Sequence, residues 1–408
     1  TVSRALRLID QGALDEASEE DLAARVGVGA RHLRRLFTEH LGATPAAIGR
    51  TRRVHFARRL ITESELPMTA VAFSSGFRSI RQFNDSVRSS FRASPSDLRR
   101  RSRSKPPDGE GLVLKLAFRP PYDQAGLFRF LRDRAIPGVE SVDEASYRRT
   151  VETGGAAGTI EVRAVPEEPF LLLRLRLPGT GDLFDVVERA RRLFDLGADP
   201  MAIGEHLRSD LRLAGALERH PGVRVPGAWD GFELAVRAIL GQQVTVRGAT
   251  TLCGRLVRAF GTALPEASGA LTHLFPRPEA LAGGDLSHIG IPKARAEALR
   301  ALADAVASGR LAIRSGASLE DVVARLTALP GIGAWTAHYV AMRAFGETDA
   351  FPASDLGLRR ALSNGRPASP RAIETMAEAW RPWRAYGVML LWLQDAANAR
   401  EASAENAA

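Results

Sequence analysis

The sequence predicts a mainly α-helical protein with an α+β middle domain. Three observations lead to this fold class: two similar pairs of short helices at the front, alternating apolar segments between residues 111 and 180, and an almost entirely helical pattern from Asp182 to Ala397. A chain of 408 residues is long enough for two or three hydrophobic cores. We therefore expect domains at residues 1–104, 111–180 and 181–400.

The positive charge is concentrated at the front of the chain. The formal net charge is +9, and residues 1–105 hold 20 Lys and Arg against 11 Asp and Glu. Residues 106–408 hold 36 of each sign, so the front segment carries all of the excess. A basic segment with a helical pattern favours nucleic acid over a membrane surface as its partner. Charge alone fits a solvated, soluble face equally well.

The front segment contains two units in which a glycine turn joins two helices. The first unit begins at Ser18, a predicted N-cap, and turns at Gly27; the second turns at Gly76. Together they resemble the AraC/XylS family of regulators, and the resemblance implies that the second helix of each unit enters the major groove. The DNA-contacting residues predicted on these helices are Arg31, Arg34, Arg35, Ser79, Arg81 and Gln82. A basic bundle that binds protein remains the alternative.

A charged, Pro- and Gly-containing linker is predicted at Arg99–Gly109, and the character of the chain changes after it. Alternation of apolar and polar residues predicts strands at Leu112–Phe118, Gly158–Val165 and Phe170–Leu177. A helix is predicted at Leu127–Ala135. This segment therefore forms the α+β unit.

A Leu-Pro-Gly-Ile-Gly turn at residues 329–333 joins two helical patterns. Gly331 and Gly333 leave backbone N–H groups free of neighbouring Cβ atoms, and the following helix adds its positive end. Such a turn can hold a DNA phosphate. Asp355 follows 22 residues after Gly333, at the start of another helix. On spacing alone it could equally be an ordinary N-cap.

The hairpin, the following helix, a Pro-containing loop and Asp355 together resemble the helix-hairpin-helix glycosylase superfamily. Residues 112–393 more specifically resemble bacterial 3-methyladenine glycosylases of the AlkA type. Matching segments are Arg119–Asp123, Arg192–Leu196, Arg237–Gln242, the hairpin and Trp380–Tyr386. The resemblance implies an antiparallel sheet domain like that of the TATA-binding protein, followed by two helical domains that enclose the active-site cleft.

The same resemblance assigns roles to individual residues. It makes Asp355 the catalytic carboxylate and places an aromatic base pocket at Phe130, Trp335, Tyr339 and Trp392, although aromatic residues at helical spacing are often plain core. The family's base-stack wedge, usually Leu, falls on Gln243; Gln242 and Gln243 could instead be surface amides that contact phosphate. It also implies that the carbonyls of Thr327, Leu329 and Ile332 bind a structural monovalent cation.

We therefore expect a monofunctional DNA glycosylase that flips alkylated bases out of double-stranded DNA and hydrolyses the N-glycosidic bond. Related lyases carry a Lys two residues after the last hairpin glycine, where this chain has Trp335. We expect no required cofactor, no membrane association, a monomer and a cytoplasmic location. A regulator that senses damage without cutting, and a bifunctional glycosylase/lyase, are the competing interpretations.

The single cysteine, Cys253, excludes an internal disulfide, a zinc site built on cysteine pairs and an iron–sulfur cluster within this sequence. It lies in an apolar helical stretch. We expect it to be a core residue.

Overall fold

The computed structural model describes residues 1–10, 13–16, 18–102, 111–311, 313, 318–362 and 368–405. The front region consists of helices. They are α1 (Val2–Asp10), α2 (Ala13–Glu16), α3 (Glu19–Arg25), α4 (Ala30–Leu41), α5 (Pro45–Glu63), α6 (Met68–Ser74), α7 (Ile80–Phe91) and α8 (Pro95–Arg101).

Local signals explain where the helices of the two front units begin and end. Ser18 and Asp21 form a capping box at α3, and α4 ends at Gly42 in the left-handed conformation. Ser79 caps α7 by accepting a hydrogen bond from the Gln82 N–H. The α8 helix extends through Arg101, so the first three residues of the predicted linker are helical; residues 103–110 lie outside the described residues.

The middle region is a five-stranded antiparallel sheet with one helix, α9 (Gln124–Arg132). The strand order is β1-β5-β4-β3-β2. The strands are β1 (Leu112–Ala117), β2 (Glu140–Val142), β3 (Ser146–Thr153), β4 (Ala156–Ala164) and β5 (Phe170–Arg176). The three predicted strands correspond to β1, β4 and β5, whereas β2 and β3 were not predicted.

The front region packs directly against this sheet. β1 is an edge strand, and α5 covers its edge: Glu63 Oε2 accepts a hydrogen bond from the Lys115 N–H at 2.8 Å. The Phe56 and Phe184 rings are 4.7 Å apart, and Ser74 Oγ donates to the Thr180 carbonyl at 2.8 Å. One buried apolar cluster contains residues of both the second front unit and the sheet. The edge strand is thereby protected from pairing with another chain.

The rear region is helical around the largest apolar cluster. Its helices are α10 (Leu183–Leu193), α11 (Pro200–Leu207), α12 (Leu211–Arg219), α13 (Gly231–Leu240), α14 (Val246–Phe260), α15 (Pro278–Ala282), α16 (Lys293–Ala307), α17 (Leu319–Thr327), α18 (Ala334–Ala344), α19 (Leu356–Ala361), α20 (Pro370–Ala377) and α21 (Arg384–Glu405). Short 3₁₀ helices occur at Leu286–Ile289 and Glu378–Trp380.

The rear region also contains a β-hairpin that the sequence pattern did not predict. Its strands are β6 (Thr262–Ser268) and β7 (Leu271–Leu274). Thr150 Oγ1 of β3 donates to the His273 carbonyl of β7 at 2.8 Å, which joins the hairpin to the middle sheet. The mainly helical fold with an α+β middle is confirmed, but the stretch after Asp182 is not uniformly helical.

The remaining expectations concern membrane association and the environment of Cys253. In the part of the chain that the structure describes, no helix combines the length and the apolar character that crossing a membrane requires. Cys253 is fully buried in α14, where it packs as a core residue.

Candidate active site and DNA-binding elements

The helix-hairpin-helix turn joins α17 to α18. Gly331 has φ of +76°, and a Cβ atom there would lie 2.6 Å from the Ala298 Cβ on α16. Glycine is therefore required at this position both for backbone conformation and for packing. Gly333 is the N-cap of α18, is exposed, and has open space where a Cβ would lie. The turn thus presents the positive end of α18 to solvent, as an anion site requires.

A glutamine from the neighbouring α13–α14 connection supports the turn. Gln242 Nε2 donates to the Gly331 carbonyl at 2.9 Å and contacts Thr336 Oγ1 at 3.1 Å. Arg295 Nη2 in turn donates to the Gln242 carbonyl at 2.6 Å. The Gln242 amide nitrogen is therefore engaged inside the protein. The sequence pattern did not predict this supporting role, because no local signal reports a contact across 89 residues.

The neighbouring Gln243 is placed differently. It is exposed and has φ of +56°, a conformation that costs free energy for a residue with a Cβ atom. Val244 and Val246 beside it are also exposed, at 40% and 41% of their surface. The connection between α13 and α14 therefore projects a polar tip with apolar flanks.

Asp355 is the N-cap of α19 and is held by three donors. Its Oδ1 accepts from the Leu358 N–H and from Trp392 Nε1–H, each at 3.0 Å. Its Oδ2 accepts from Trp335 Nε1–H at 2.9 Å. A carboxylate offers about four acceptor positions, so one position on Oδ2 remains beyond these three bonds. Asp355 is thus a cap and an oriented carboxylate at the same time.

The four aromatic residues expected to form the base pocket lie together beside Asp355. The Trp335 and Tyr339 rings stack with centroids 5.3 Å apart and planes inclined by 8°. Trp392 lies 6.2 Å from Tyr339 and 6.5 Å from Phe130. Phe130 and Tyr339 are buried, whereas Trp335 and Trp392 are half-buried. Two of the four rings are therefore buried, and the two indole rings are partly accessible to solvent.

Two arginines that the sequence pattern did not single out lie behind these rings. Arg343 Nη1 donates to the Tyr339 hydroxyl at 2.6 Å, and the Arg134 guanidinium lies 3.8 Å from the Phe130 centroid. Burial raises the pKa of the Tyr339 phenol, but the nearby guanidiniums of Arg343 and Arg134 outweigh it and lower that pKa overall. Burial also lowers the pKa of Arg134 to about 10. These two guanidiniums therefore place positive charge beside Tyr339 and Phe130.

The predicted DNA-contacting side chains of the first front unit lie on the exposed side of α4. Arg31, Arg34 and Arg35 are all exposed, while Leu33 and Phe37 of the same helix are buried. Arg34 forms ion pairs with Glu19 and Glu20, and Arg35 contacts His32 at 3.1 Å. Part of this positive charge is therefore neutralised internally.

The second unit presents α7. The Arg81 side chain is 93% exposed, and its distance to Asp85 is 3.9 Å. Ser79 caps the helix, so its hydroxyl oxygen already has a partner. Gln82 is exposed and its Oε1 accepts from the Arg78 N–H at 3.3 Å. The Arg81 charge is therefore accessible to a phosphate.

The residues expected to bind a monovalent cation lie where α17 ends. Thr327 is the last residue of α17, and the Leu329 carbonyl accepts a hydrogen bond from the Ile332 N–H at 3.3 Å. Within the described ranges, no group of three or more His, Cys, Asp or Glu side chains could hold a metal ion.

Comparison with known protein families divides the chain into three matched segments. Residues 22–101 match a helix-turn-helix domain, residues 113–230 match the AlkA N-terminal domain, and residues 236–385 match the HhH-GPD superfamily of base excision DNA repair proteins. The chain is 42% identical to the probable bifunctional transcriptional activator/DNA repair enzyme AlkA of Mycobacterium tuberculosis, over 96% of this chain and 79% of that protein. The chain belongs to the AlkA family.

Two further similar proteins match about two thirds of this AlkA-family chain. DNA-3-methyladenine glycosylase 2 of Escherichia coli is 35% identical, over 68% of this chain and 95% of that protein. A 3-methyladenine DNA glycosylase from Archaeoglobus fulgidus superposes with a TM-score of 0.60 at 23% identity, covering 69% of this chain and 98% of that one. The resemblances predicted from the motifs are thus confirmed: an AraC-type helix-turn-helix domain precedes a glycosylase of the AlkA family.

Proposed function

We propose that this AlkA-family protein excises alkylated purines, such as 3-methyladenine and 7-methylguanine, from double-stranded DNA by hydrolysis. The observation that carries the proposal is Asp355, whose two oxygens are oriented by the indole N–H groups of Trp335 and Trp392. The same two rings belong to the aromatic pocket. A base stacked there and a carboxylate beside its sugar would therefore be positioned by one set of contacts.

The chemistry follows from this arrangement. A base in a duplex must be unstacked and rotated into a pocket before its glycosidic bond is accessible. As that bond breaks, positive charge develops on the sugar, and an oriented carboxylate stabilises it or positions the attacking water. Hydrogen bonds from two indoles and one backbone amide hold Asp355 in place, so little reorganisation is needed during the reaction.

Electrostatics in the pocket refine the choice of base. Electron-rich indole faces favour a cationic alkylated base. Arg343 and Arg134 lie beside Tyr339 and Phe130, and their charge opposes a further cation next to these two rings. We propose that the cationic part of the base stacks on Trp335 and Trp392 at the open side.

The reaction proposed is hydrolysis without strand cleavage. Trp335 occupies the position at which lyase-active relatives of the superfamily carry the nucleophilic lysine. Lys293 is 93% exposed at the start of α16, and Lys115 lies on β1 over the Phe170 ring. Lys105 lies outside the described residues. Neither Lys293 nor Lys115 is therefore engaged with Asp355.

The test is product analysis on duplexes that contain single alkylated bases. Wild-type protein should release the base and leave intact abasic strands that break only after alkali. Nicked strands without alkali would contradict the hydrolytic assignment. No base release from any alkylated or deaminated base would favour a damage-sensing regulator instead.

We also propose a monomer, with no required cofactor, in which the carbonyls of Thr327, Leu329 and Ile332 bind a monovalent cation when DNA is bound. The support is that Thr327 lies in the last turn of α17, and the last carbonyls of a helix lack intrahelical donors. Gln243 is proposed as the wedge, since it is exposed at a projecting tip. A high-resolution DNA complex with only water-like distances at the turn, or with Gln243 outside the base stack, would contradict these assignments.

A further inference from the structure

A cavity lies at the junction between the front helix α5 and the glycosylase region. It has a volume of about 410 Å³, within the range of roughly 300–1,000 Å³ of small-molecule sites. Its lining comes from α5 of the front region and from α10, the end of α18 and the start of α21. We call it the interdomain cavity. It does not include Asp355 or the four aromatic residues of the base pocket.

The interdomain cavity is rich in guanidinium groups. Arg52 and Arg59 contribute from α5, and Arg191 and Arg192 from α10. Glu188 is shared between two of them, at 3.2 Å from Arg52 and 3.9 Å from Arg191. One carboxylate thus serves two arginines. Arg343 also lines the cavity, so its five arginines exceed the three acids of the lining, which are Glu188, Asp195 and Glu347.

Two details of the cavity wall favour the binding of an anion. Arg192 Nη1 is buried and has no hydrogen-bond partner among the described residues, a costly state for a charged donor. Burial lowers the pKa of Arg59, and the like charge of Arg191 lowers it further, although Glu63 and Glu188 partly oppose this shift. Both effects would be relieved by an anion placed between α5 and α10.

Asp195, one of the acids in the lining, is already held by other groups. Burial raises the pKa of Asp195, which also lines the cavity, to about 6. Its Oδ2 accepts hydrogen bonds from the Tyr386 hydroxyl at 2.9 Å and the Val225 N–H at 3.1 Å. Asp195 is therefore partly neutral near pH 6 and already has partners.

We propose that the interdomain cavity binds a small phosphate-bearing molecule that joins the helix-turn-helix domain to the glycosylase. Arginine is well suited to this role because its planar group bonds phosphate oxygens in pairs. Phe56 and Tyr386 give the cavity aromatic surface beside the arginines, and the volume accommodates more than a phosphate group. Because α5 and α10 both contribute arginines to the lining, the ligand stabilises the contact between the two regions.

The experiment is calorimetric titration of the full chain with inorganic phosphate and, separately, with adenosine monophosphate. Arg59→Gln on α5 and Arg192→Gln on α10 should each weaken binding by about ten- to a hundredfold, the usual effect of losing a charge-assisted hydrogen bond. Arg208→Gln removes the same charge from an exposed position on the rear region and should leave the affinity unchanged.

Hydrogen exchange gives an independent readout. Either ligand should slow exchange in both α5 and α10 of wild-type protein, and much less in the two cavity variants. Tighter binding of the mononucleotide than of phosphate would identify a nucleotide-like ligand; equal binding would identify phosphate itself. Absence of binding, or binding that persists in Arg59→Gln and Arg192→Gln because the anion occupies the DNA surface, would overturn the proposal.

Discussion

The front domain and the glycosylase region both match families of DNA-binding proteins, but they hold their candidate functional groups in opposite ways. Arg31, Arg35 and Arg81 lie exposed on α4 and α7. Asp355 and Trp335 are half-buried and hydrogen-bonded to each other. Each exposed charge makes a small, salt-screened contribution to an electrostatic field that many residues produce together. An oriented carboxylate acts directly on one reacting atom. Single substitutions should therefore matter far more in the second region.

The largest expected effect is that of Asp355→Asn. Removing an oriented charge at a reacting centre typically lowers the rate by about a hundredfold or more. The asparagine oxygen can still accept from the Leu358 N–H, so the cap of α19 should persist. Single-turnover release of a methylated purine, together with melting temperature and DNA affinity, tests this. Wild-type release by the variant would show that Asp355 is only a cap.

Asparagine does, however, place an NH₂ group opposite one of the indole donors, and Trp335→Phe controls for this. That variant removes the Nε1–H bond to Oδ2 but leaves the carboxylate charge. It should lose much less activity than Asp355→Asn. Equal losses would mean that ring orientation, and not charge, explains the effect of the first variant.

Trp335→Ala should have the next largest effect, because it removes the ring that stacks on Tyr339. Base–aromatic stacking contributes about 1–3 kcal/mol. The affinity for the flipped base and the rate at which it is excised should therefore fall by about five- to a hundredfold. Trp335→Phe, which keeps a stacking surface, is the matched control. An unchanged rate for Trp335→Ala would place the base elsewhere in the cleft.

In the front domain, the expected effect is a change in salt dependence. Log affinity falls as log salt rises. If Arg81 neutralises one DNA phosphate, Arg81→Gln should make this slope less steep by about 0.9. Arg34→Gln should change the slope less, because Glu19 and Glu20 already pair with Arg34. Base excision from a short duplex should be unaffected by either variant. Equal slopes for wild type and Arg81→Gln would mean that Arg81 does not bind phosphate.

Substitution is a sharper test of the front domain than its deletion. Deletion would uncover the β1 edge now bonded by Glu63, and it would expose Phe184, which packs on Phe56. A drop in activity after deletion could then reflect a damaged sheet instead of weaker DNA binding.

The smallest expected effect concerns Asp195, which lies next to the boundary between the two regions. Its pKa is about 6 in the folded protein because it is buried, against about 4 in an unfolded chain. The folded state thus holds this proton more tightly, and the stability it provides is lost as pH rises from about 4 through about 6. The amide oxygen of Asp195→Asn can accept both existing hydrogen bonds.

Thermal melting between pH 4 and pH 8 measures this effect. The melting temperature of Asp195→Asn should fall less with rising pH than that of wild type. Asp85→Asn, at an exposed position on α7, should follow the wild-type curve. Parallel curves for wild type and Asp195→Asn would show that Asp195 does not titrate in this range.

The sequence alone determined the features that depend on neighbouring residues. Capping residues such as Ser18, glycine turns and apolar periodicity identified the helices of both DNA-binding regions, because these signals act within about one or two helical turns. The hairpin glycines and Asp355 were recognised from their spacing and family resemblance. The roles predicted for the individual site residues stay predictions until the variants are measured.

Contacts between distant segments were decided only by the tertiary structure. β3 was not predicted because it contains Arg149, a charged residue that is nevertheless buried. Glu233, 84 residues away in the sequence, compensates this charge, and its Oε2 accepts a hydrogen bond from Arg149 Nη2 at 2.8 Å. β6 was not predicted because it is largely exposed and contains Pro265, so apolar and polar residues do not alternate along it. Two further contacts also join segments that are distant in the sequence. They are the hydrogen bonds from Trp335 and Trp392 to Asp355, and the packing of α5 on β1. Their stability comes from burial and from pairing of groups that meet only after folding, so no local pattern encodes them.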